Sequence, residues 1–220
     1  MTQHIHFLAS KSSGEVGAIL QRPPNARWLL VFAHGAGAGM NSGFMESMAG
    51  ELAGVRVATL RYHFPYMEQG KKAPDPQPVL RATVLSAIAA AQEAAPDLPL
   101  FAGGKSLGGR MTSMASLPGQ VKGLVFFGFP LHAPGKPSAR RADHLPSVTV
   151  PMLFLQGTRD AFADLSLLRP ICAQLGEKAA LHVFEGADHS FHMLKSSGTS
   201  DEVMIRQLAR TAADWASRFI

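Results

Sequence analysis

From Trp28 to the end of the chain, short runs rich in apolar residues, the first of them unbroken, alternate with longer stretches of helical spacing. A run without polar alternation predicts a strand buried on both faces. Strands separated by helices predict a parallel sheet covered on either side. The runs fall at residues 28–33, 55–62, 98–101, 121–129, 152–156 and 180–184. The helical patterns fall at residues 44–53, 79–95, 111–117, 165–175 and 201–219, the last with Val203, Leu208, Ala212 and Trp215 available for an inner face. Residues 4–9 and 15–22 alternate moderately around Ser-Lys-Ser-Ser-Gly and predict an antiparallel hairpin at the sheet edge. Residues 63–78 and 131–150 read as loops, and no internal repeat or linker interrupts the pattern. A chain of 220 residues, 46% of them hydrophobic, suits one α/β domain spanning 1–220.

In such a sheet, binding groups gather at the carboxyl ends of the strands. The run 98–101 leads into Gly104-Lys105-Ser106-Leu107-Gly108 and then into a helical pattern. A serine on a sharp strand-to-helix turn takes a strained backbone conformation, and close packing leaves room only for glycine two residues to either side. The turn exposes the Ser106 hydroxyl and aims the Leu107 N–H at any neighbouring oxygen. This is the geometry of a nucleophile elbow and implies acyl-serine chemistry. Gly-Lys-Ser also ends a phosphate-binding loop, but that motif needs a glycine at position 99, where Pro99 stands.

A serine hydroxyl needs a base, and the base needs an acceptor that fixes its tautomer. His189 follows the last predicted strand and precedes the last helix; His192 is its near rival. Asp160, after the run 152–156, suits the orienting acid, with Asp164 one helical turn further on as the other candidate. Asp188 adjoins His189 too closely in the chain for that contact and reads as a turn or cap residue. The second oxyanion donor is expected from His34-Gly35-Ala36-Gly37-Ala38-Gly39, with Ala36 first and Gly37 second. A dinucleotide fingerprint in that loop fails, because it would need glycine where Met40 or Ser42 stands.

Composition removes other classes. The net charge is +5, but the basic residues are scattered, the densest pairs being Lys71-Lys72 and Arg140-Arg141, so a nucleic-acid partner is not expected. Those lysines, with Arg61, are candidates only for attracting an acidic substrate. No apolar run is long enough to span a bilayer, and the first residues lack a signal peptide's pattern, so no membrane association is expected. Cys172 is the only cysteine and sits in an apolar helical pattern, which points to a core position and to the cytoplasm.

The elbow Gly104–Gly108, the loop His34-Gly35-Ala36-Gly37, Gln156-Gly157-Thr158-Arg159-Asp160 and Gly186-Ala187-Asp188-His189 stand in the order found in α/β-hydrolases. The chain resembles that superfamily over nearly its whole length. It is similar to the compact branch around dienelactone hydrolase and the small bacterial carboxylesterases. The resemblance implies Ser106 as nucleophile, His189 as general base, Asp160 as its orienter, and no metal or organic cofactor. Dienelactone hydrolases proper use cysteine, so their substrate does not transfer to a chain with serine. The space for a lid, residues 130–150, is too short for a multi-helix cap. That predicts an open cleft taking a small acyl substrate, with Gly37, Met40, Phe64, Phe129 and Pro130 as lining candidates beside Tyr66 and Leu131. A catalytically idle domain of this fold, used for protein interaction, is the alternative.

Overall fold

The computed structural model describes residues 1–220. In chain order its strands are β1 (Thr2–Ser10), β2 (Gly14–Gln21), β3 (Trp28–Ala33), β4 (Val57–Tyr62), β5 (Leu100–Lys105), β6 (Val121–Phe127), β7 (Met152–Gly157) and β8 (Ala179–Phe184). They form one eight-stranded sheet in the order β1-β2-β4-β3-β5-β6-β7-β8. The hairpin β1–β2 is antiparallel, and β2 joins β4 antiparallel; every later pairing is parallel. The helices are α1 (Gly43–Gly54), α2 (Pro65–Glu68), α3 (Gln77–Ala94), α4 (Leu107–Ser113), α5 (Leu165–Leu175) and α6 (Asp201–Ala216). No helix is long and apolar enough to cross a membrane.

Side chains alternate faces along a strand, so each central strand feeds two cores. Leu29, Val31 and Ala33 of β3 join Leu80, Val84 and Ile88 of α3 and Leu168 of α5. Trp28, Leu30 and Phe32 join Met45, Met48 and Leu52 of α1 and Leu208 and Trp215 of α6. Burying each such side chain stabilises the fold by roughly 1.5–3 kcal/mol, which is what holds the helices on the sheet. Cys172 is buried in the first of these cores.

Register then decides where function can sit. Ala33 stands level with Tyr62 on one side and Gly104 on the other. Lys105 is level with Phe127, Phe127 with Leu155, and Gly157 with Phe184. The carboxyl ends of β3 to β8 therefore make one edge, and the loops leaving them share it.

Several elements differ from the sequence expectation. The strand before the elbow runs four residues past 101, through Gly103 and Gly104 to Lys105, because its pairing with β3 and β6 overrides the low strand propensity of glycine and lysine. Helix α4 starts at Leu107, directly after the elbow serine, but stops at Ser113, short of the expected 117. Pro118 accounts for part of this, since it disfavours helical backbone at Leu117. A one-turn helix, α2, interrupts the loop 63–78, with Pro65 in its first turn. On α6, Val203 is exposed and Met204 and Ile205 are buried instead. The row 204, 208, 212, 215 faces the sheet, and Val203 lies just off it.

Candidate active site

Ser106 occupies the junction of β5 and α4 with φ 50° and ψ −116°. A non-glycine residue there is strained by roughly 1–3 kcal/mol, and the surroundings must enforce it. Its N–H donates to Phe127 O at 3.1 Å, and its own carbonyl accepts from the Arg110 N–H at 3.1 Å. The end of β3 presses into the turn from the other side. A Cβ on Gly104 would collide with the Ala33 carbonyl, and one on Gly108 would lie 2.5 Å from Ala33 O and 2.6 Å from His34 O. The two glycines are thus what allows β3 to approach the serine. The loop after β3 continues past it, since a Cβ on Gly35 would sit 3.7 Å from Ser106 Cβ.

Three loops from the shared edge meet at this serine. Ser106 Oγ lies 2.8 Å from His189 Nε2, and His189 Nδ1 lies 2.7 Å from Asp160 Oδ2. The Asp160 side chain is 1% exposed and that of His189 18%. Asp160 accepts further bonds from the Phe162 N–H at 2.7 Å and from Gln156 Nε2 at 2.5 Å. Those bonds fix the carboxylate, and the carboxylate fixes the imidazole. Burial pushes the His189 pKa below its ordinary value, with Lys105 adding to the effect and Asp160 opposing it. The neutral ring therefore has Nε2 free to accept the serine proton, while Nδ1–H donates to Asp160.

Of the two backbone donors, Leu107 is the first residue of α4, so its N–H has no intrahelical partner. Ala36 is exposed in the loop beside Ser106, and its N–H donates to no group in the chain. The Gly37 N–H is engaged, donating to Tyr66 Oη at 2.9 Å. His34 holds the loop from below. Its Nδ1–H donates to Gly35 O at 2.7 Å, and its Nε2 accepts the Phe64 N–H at 3.1 Å. Burial drives its pKa down to about 4, so the ring stays neutral.

The rival candidates lie elsewhere. His192 pairs with Asp201 on the exposed surface at 2.6 Å. Asp164 caps α5 through the Ser166 N–H. Asp188 accepts the N–H groups of Ser190 and His192, the turn that presents His189. The expected cleft lining needs correction. Phe64 is 0% exposed and Phe129 1% exposed, and both belong to the α3–α5 core. Phe64 packs edge-on to Tyr62, and Phe129 edge-on to Phe126. Tyr66, Leu131, Met40 and Pro130 are buried as well. The aromatic residues at these strand ends form the floor under the site and leave its rim to the exposed Ala36–Ala38 and the half-buried Leu107 and Phe162. Arg61 is buried too and donates to Met40 O at 3.1 Å; Lys71 and Lys72 are exposed.

Three contributors escape a motif search. Gln156 is fully buried and bridges Asp160 and the Phe129 N–H, the latter at 3.0 Å. Its polarity at the end of an apolar strand was the available signal. Phe162 lies over the His189 ring at 4.3 Å between centroids. Lys105 is 8% exposed, a charge inside the elbow itself. No three His, Cys, Asp or Glu side chains cluster in a way that could hold a metal ion.

Comparison with known proteins agrees with this fold. The model of a family described as an alpha/beta hydrolase domain matches residues 26–217. Among solved structures, dienelactone hydrolase from Anabaena variabilis is 20% identical with a TM-score of 0.73, the match covering 100% of this chain and 99% of that one. A serine hydrolase without a lid from Xanthomonas campestris is 15% identical with a TM-score of 0.75, covering 97% and 94%. An esterase domain from Rhodothermus marinus is 16% identical with a TM-score of 0.74, covering 100% and 99%. At these identities the three share the fold. With its family model spanning most of the sequence, this chain belongs to the alpha/beta hydrolases.

Proposed function

We propose that residues 1–220 act as one serine hydrolase domain that cleaves a small ester or thioester through an acyl-serine intermediate. The observation that carries this reading is the unbroken series Ser106 Oγ, His189 Nε2, His189 Nδ1, Asp160 Oδ2, at 2.8 and 2.7 Å. Ser106 attacks the acyl carbonyl as its proton passes to His189 Nε2. The Leu107 and Ala36 N–H groups receive the oxyanion that forms. His189 gives the proton to the departing alcohol or thiol, and the acyl group stays on Ser106. Water then attacks, its proton passing to His189 and back to Ser106 Oγ as the acid leaves. Asp160 stays ionised throughout and stabilises the imidazolium.

An open rim supports a small substrate. Between β6 and β7 the chain makes only two short 3-10 turns, Arg140–Ala142 and Leu145–Ser147. The esterase domain and lidless hydrolase among the structural relatives fit the same chemistry. A cytoplasmic setting suits a lone buried cysteine. The test is labelling by a fluorophosphonate together with turnover of p-nitrophenyl acetate. The wild type should do both, and Ser106→Ala neither. A folded wild type that neither labels nor turns over refutes the reading.

A further inference from the structure

Lys105 is the last residue of β5, directly before Ser106, and its side chain turns into the protein. Its ammonium donates to the carbonyl of His189 at 2.5 Å. It lies 5.7 Å from the ring centres of both Phe44 and Phe191, which stack on one another at 21°. A single point fixes its place relative to the hydrogen-bonded series. The position of a Cβ on Gly128 is 3.1 Å from Lys105 Nζ, 3.4 Å from Asp160 Oδ2 and 3.4 Å from His189 Nδ1. The ammonium is therefore within about 7 Å of both partners, in a slot walled by aromatic rings, where charges are screened far less than in water. A methionine of similar length would fill the slot without desolvating a charge, so packing does not account for lysine here.

We infer that Lys105 is a positioning residue: it ties the strand that carries Ser106 to the loop that carries His189, and its charge faces the imidazole beside Asp160, adding to burial against a second ring proton. The tether acts where the loop needs restraint, since Phe191, two residues beyond His189, has φ 63°. The charge acts with a defined sign. The groups facing His189 are Ser106, Asp160, Asp188, Lys105 and the Phe162 ring. Asp160 and Asp188 favour the imidazolium, and Lys105 opposes it. The groups facing the ammonium are the His189 carbonyl, Asp160, Asp188 and the two phenyl rings. Burial lowers the Lys105 pKa to about 8, so the charge is present at neutral pH and fades on the alkaline side.

The consequence for catalysis rests on the serine-hydrolase reading, but the electrostatic part does not. It is tested by NMR titration of the His189 imidazole, identified by the signal lost in His189→Gln, in wild type, Lys105→Met, Lys105→Arg and Lys105→Gln. Removing the charge in Lys105→Met and Lys105→Gln should raise the midpoint by about one pH unit, and Lys105→Arg should leave it near the wild-type value. The fluorophosphonate labelling rate of Ser106 at neutral pH should fall by about tenfold in Lys105→Met, with the acid limb of its pH profile moved upward in step. Lys105→Gln keeps a donor for the His189 carbonyl, so it should show the same upward limb with a smaller loss of rate. An unmoved His189 midpoint in either folded neutral variant overturns the charge role. Wild-type labelling by folded Lys105→Met overturns the tether. If Lys105→Met fails to fold, Lys105→Gln decides the charge role and Lys105→Leu, which also lacks a donor, decides the tether. A wild type that never labels refutes the hydrolase reading, while the titration midpoints still decide what Lys105 does to His189.

Discussion

The most direct quantitative consequence concerns His34, which lies under the loop that presents Ala36. Its ordinary pKa of 6.5 is pushed to about 4 in the folded chain, first by burial and then by the charge of His63, with the Gly35 carbonyl opposing. Protonation would also place a hydrogen on Nε2, the atom that accepts the Phe64 N–H. The folded state thus binds this proton more weakly than the unfolded state does. The stability this gives is complete above pH 6.5, the unfolded value, and is lost as the pH falls towards about 4. Each pKa unit is worth 1.36 kcal/mol, so the full difference is about 3 kcal/mol, a large fraction of a typical domain's ~5–15 kcal/mol. His63, His144 and His189 are depressed as well and add their own slopes, so the measurement must be a difference. His34→Gln keeps an acceptor near Nε2 and removes the titration. Urea unfolding of both proteins from about pH 7 to about pH 4.5 should show the wild type losing roughly 2–3 kcal/mol more than the variant over that range. At neutral pH the variant should be somewhat the less stable, having lost the bond to Gly35. Parallel curves across the whole acid range would mean that His34 titrates normally and that the loop is not held as described.

Other substitutions probe the site. Asp160→Asn keeps the volume but removes the charge that selects the tautomer, and kcat for p-nitrophenyl acetate should fall by ~10³–10⁴ with little change in the circular dichroism spectrum. Gly108→Ala places a methyl against two backbone carbonyls that cannot retreat, and should lower stability by roughly 1–3 kcal/mol, read as a fall in Tm. Gln156→Leu strands the buried Phe129 N–H and frees Asp160 to rotate; it should cost about 1–3 kcal/mol in urea unfolding and lower kcat more than it raises KM. In the wild type, the acid limb of kcat/KM should lie below pH 6.5, because burial depresses His189; a midpoint above that value would contradict the neutral resting base.

The middle of the sheet was legible because its strands are buried on both faces. Trp28–Ala33 has no polar residue to lose among loops, and the run survives as β3 with the same ends. Legibility failed where a strand is specified by its neighbours instead of by its own side chains. Gly103, Gly104 and Lys105 carry no strand signal, yet they pair with Phe32, Ala33 and the 125–127 segment of β6. The first residue of α4 was readable only through the elbow. Gly108 and Gly109 are poor helix formers, and the helix begins at Leu107 because the turn at Ser106 directs it, not because its composition favours it. The exposed position of Val203 is the ordinary error of reading a helical face one residue early.

The site divides along the same line. Residues whose type the proposed reaction dictates, Ser106, Asp160 and His189, could be named from spacing, since a strand end, a small-residue turn and a polar atom have to coincide there. Residues that work by supporting those three could not, because nothing in a linear pattern says which polar atom will be left without water. Gln156 is one such case: a buried polar residue at the end of an apolar strand, it can be understood only once the Phe129 N–H and the Asp160 carboxylate flank it. The aromatic residues failed in the opposite direction. Phe64 and Phe129 follow strand ends, where a ligand would meet them, but the chain turns there and folds both rings down onto Tyr62, Phe126 and Phe154. A packed aromatic floor under a half-buried serine would leave the acyl group of the proposed substrate little apolar surface beyond Leu107, Phe162 and the Ala36–Ala38 loop. Under the proposed acyl transfer, discrimination between substrates would come from reactivity at the carbonyl and from contacts at that narrow rim, instead of from a deep pocket that measures chain length.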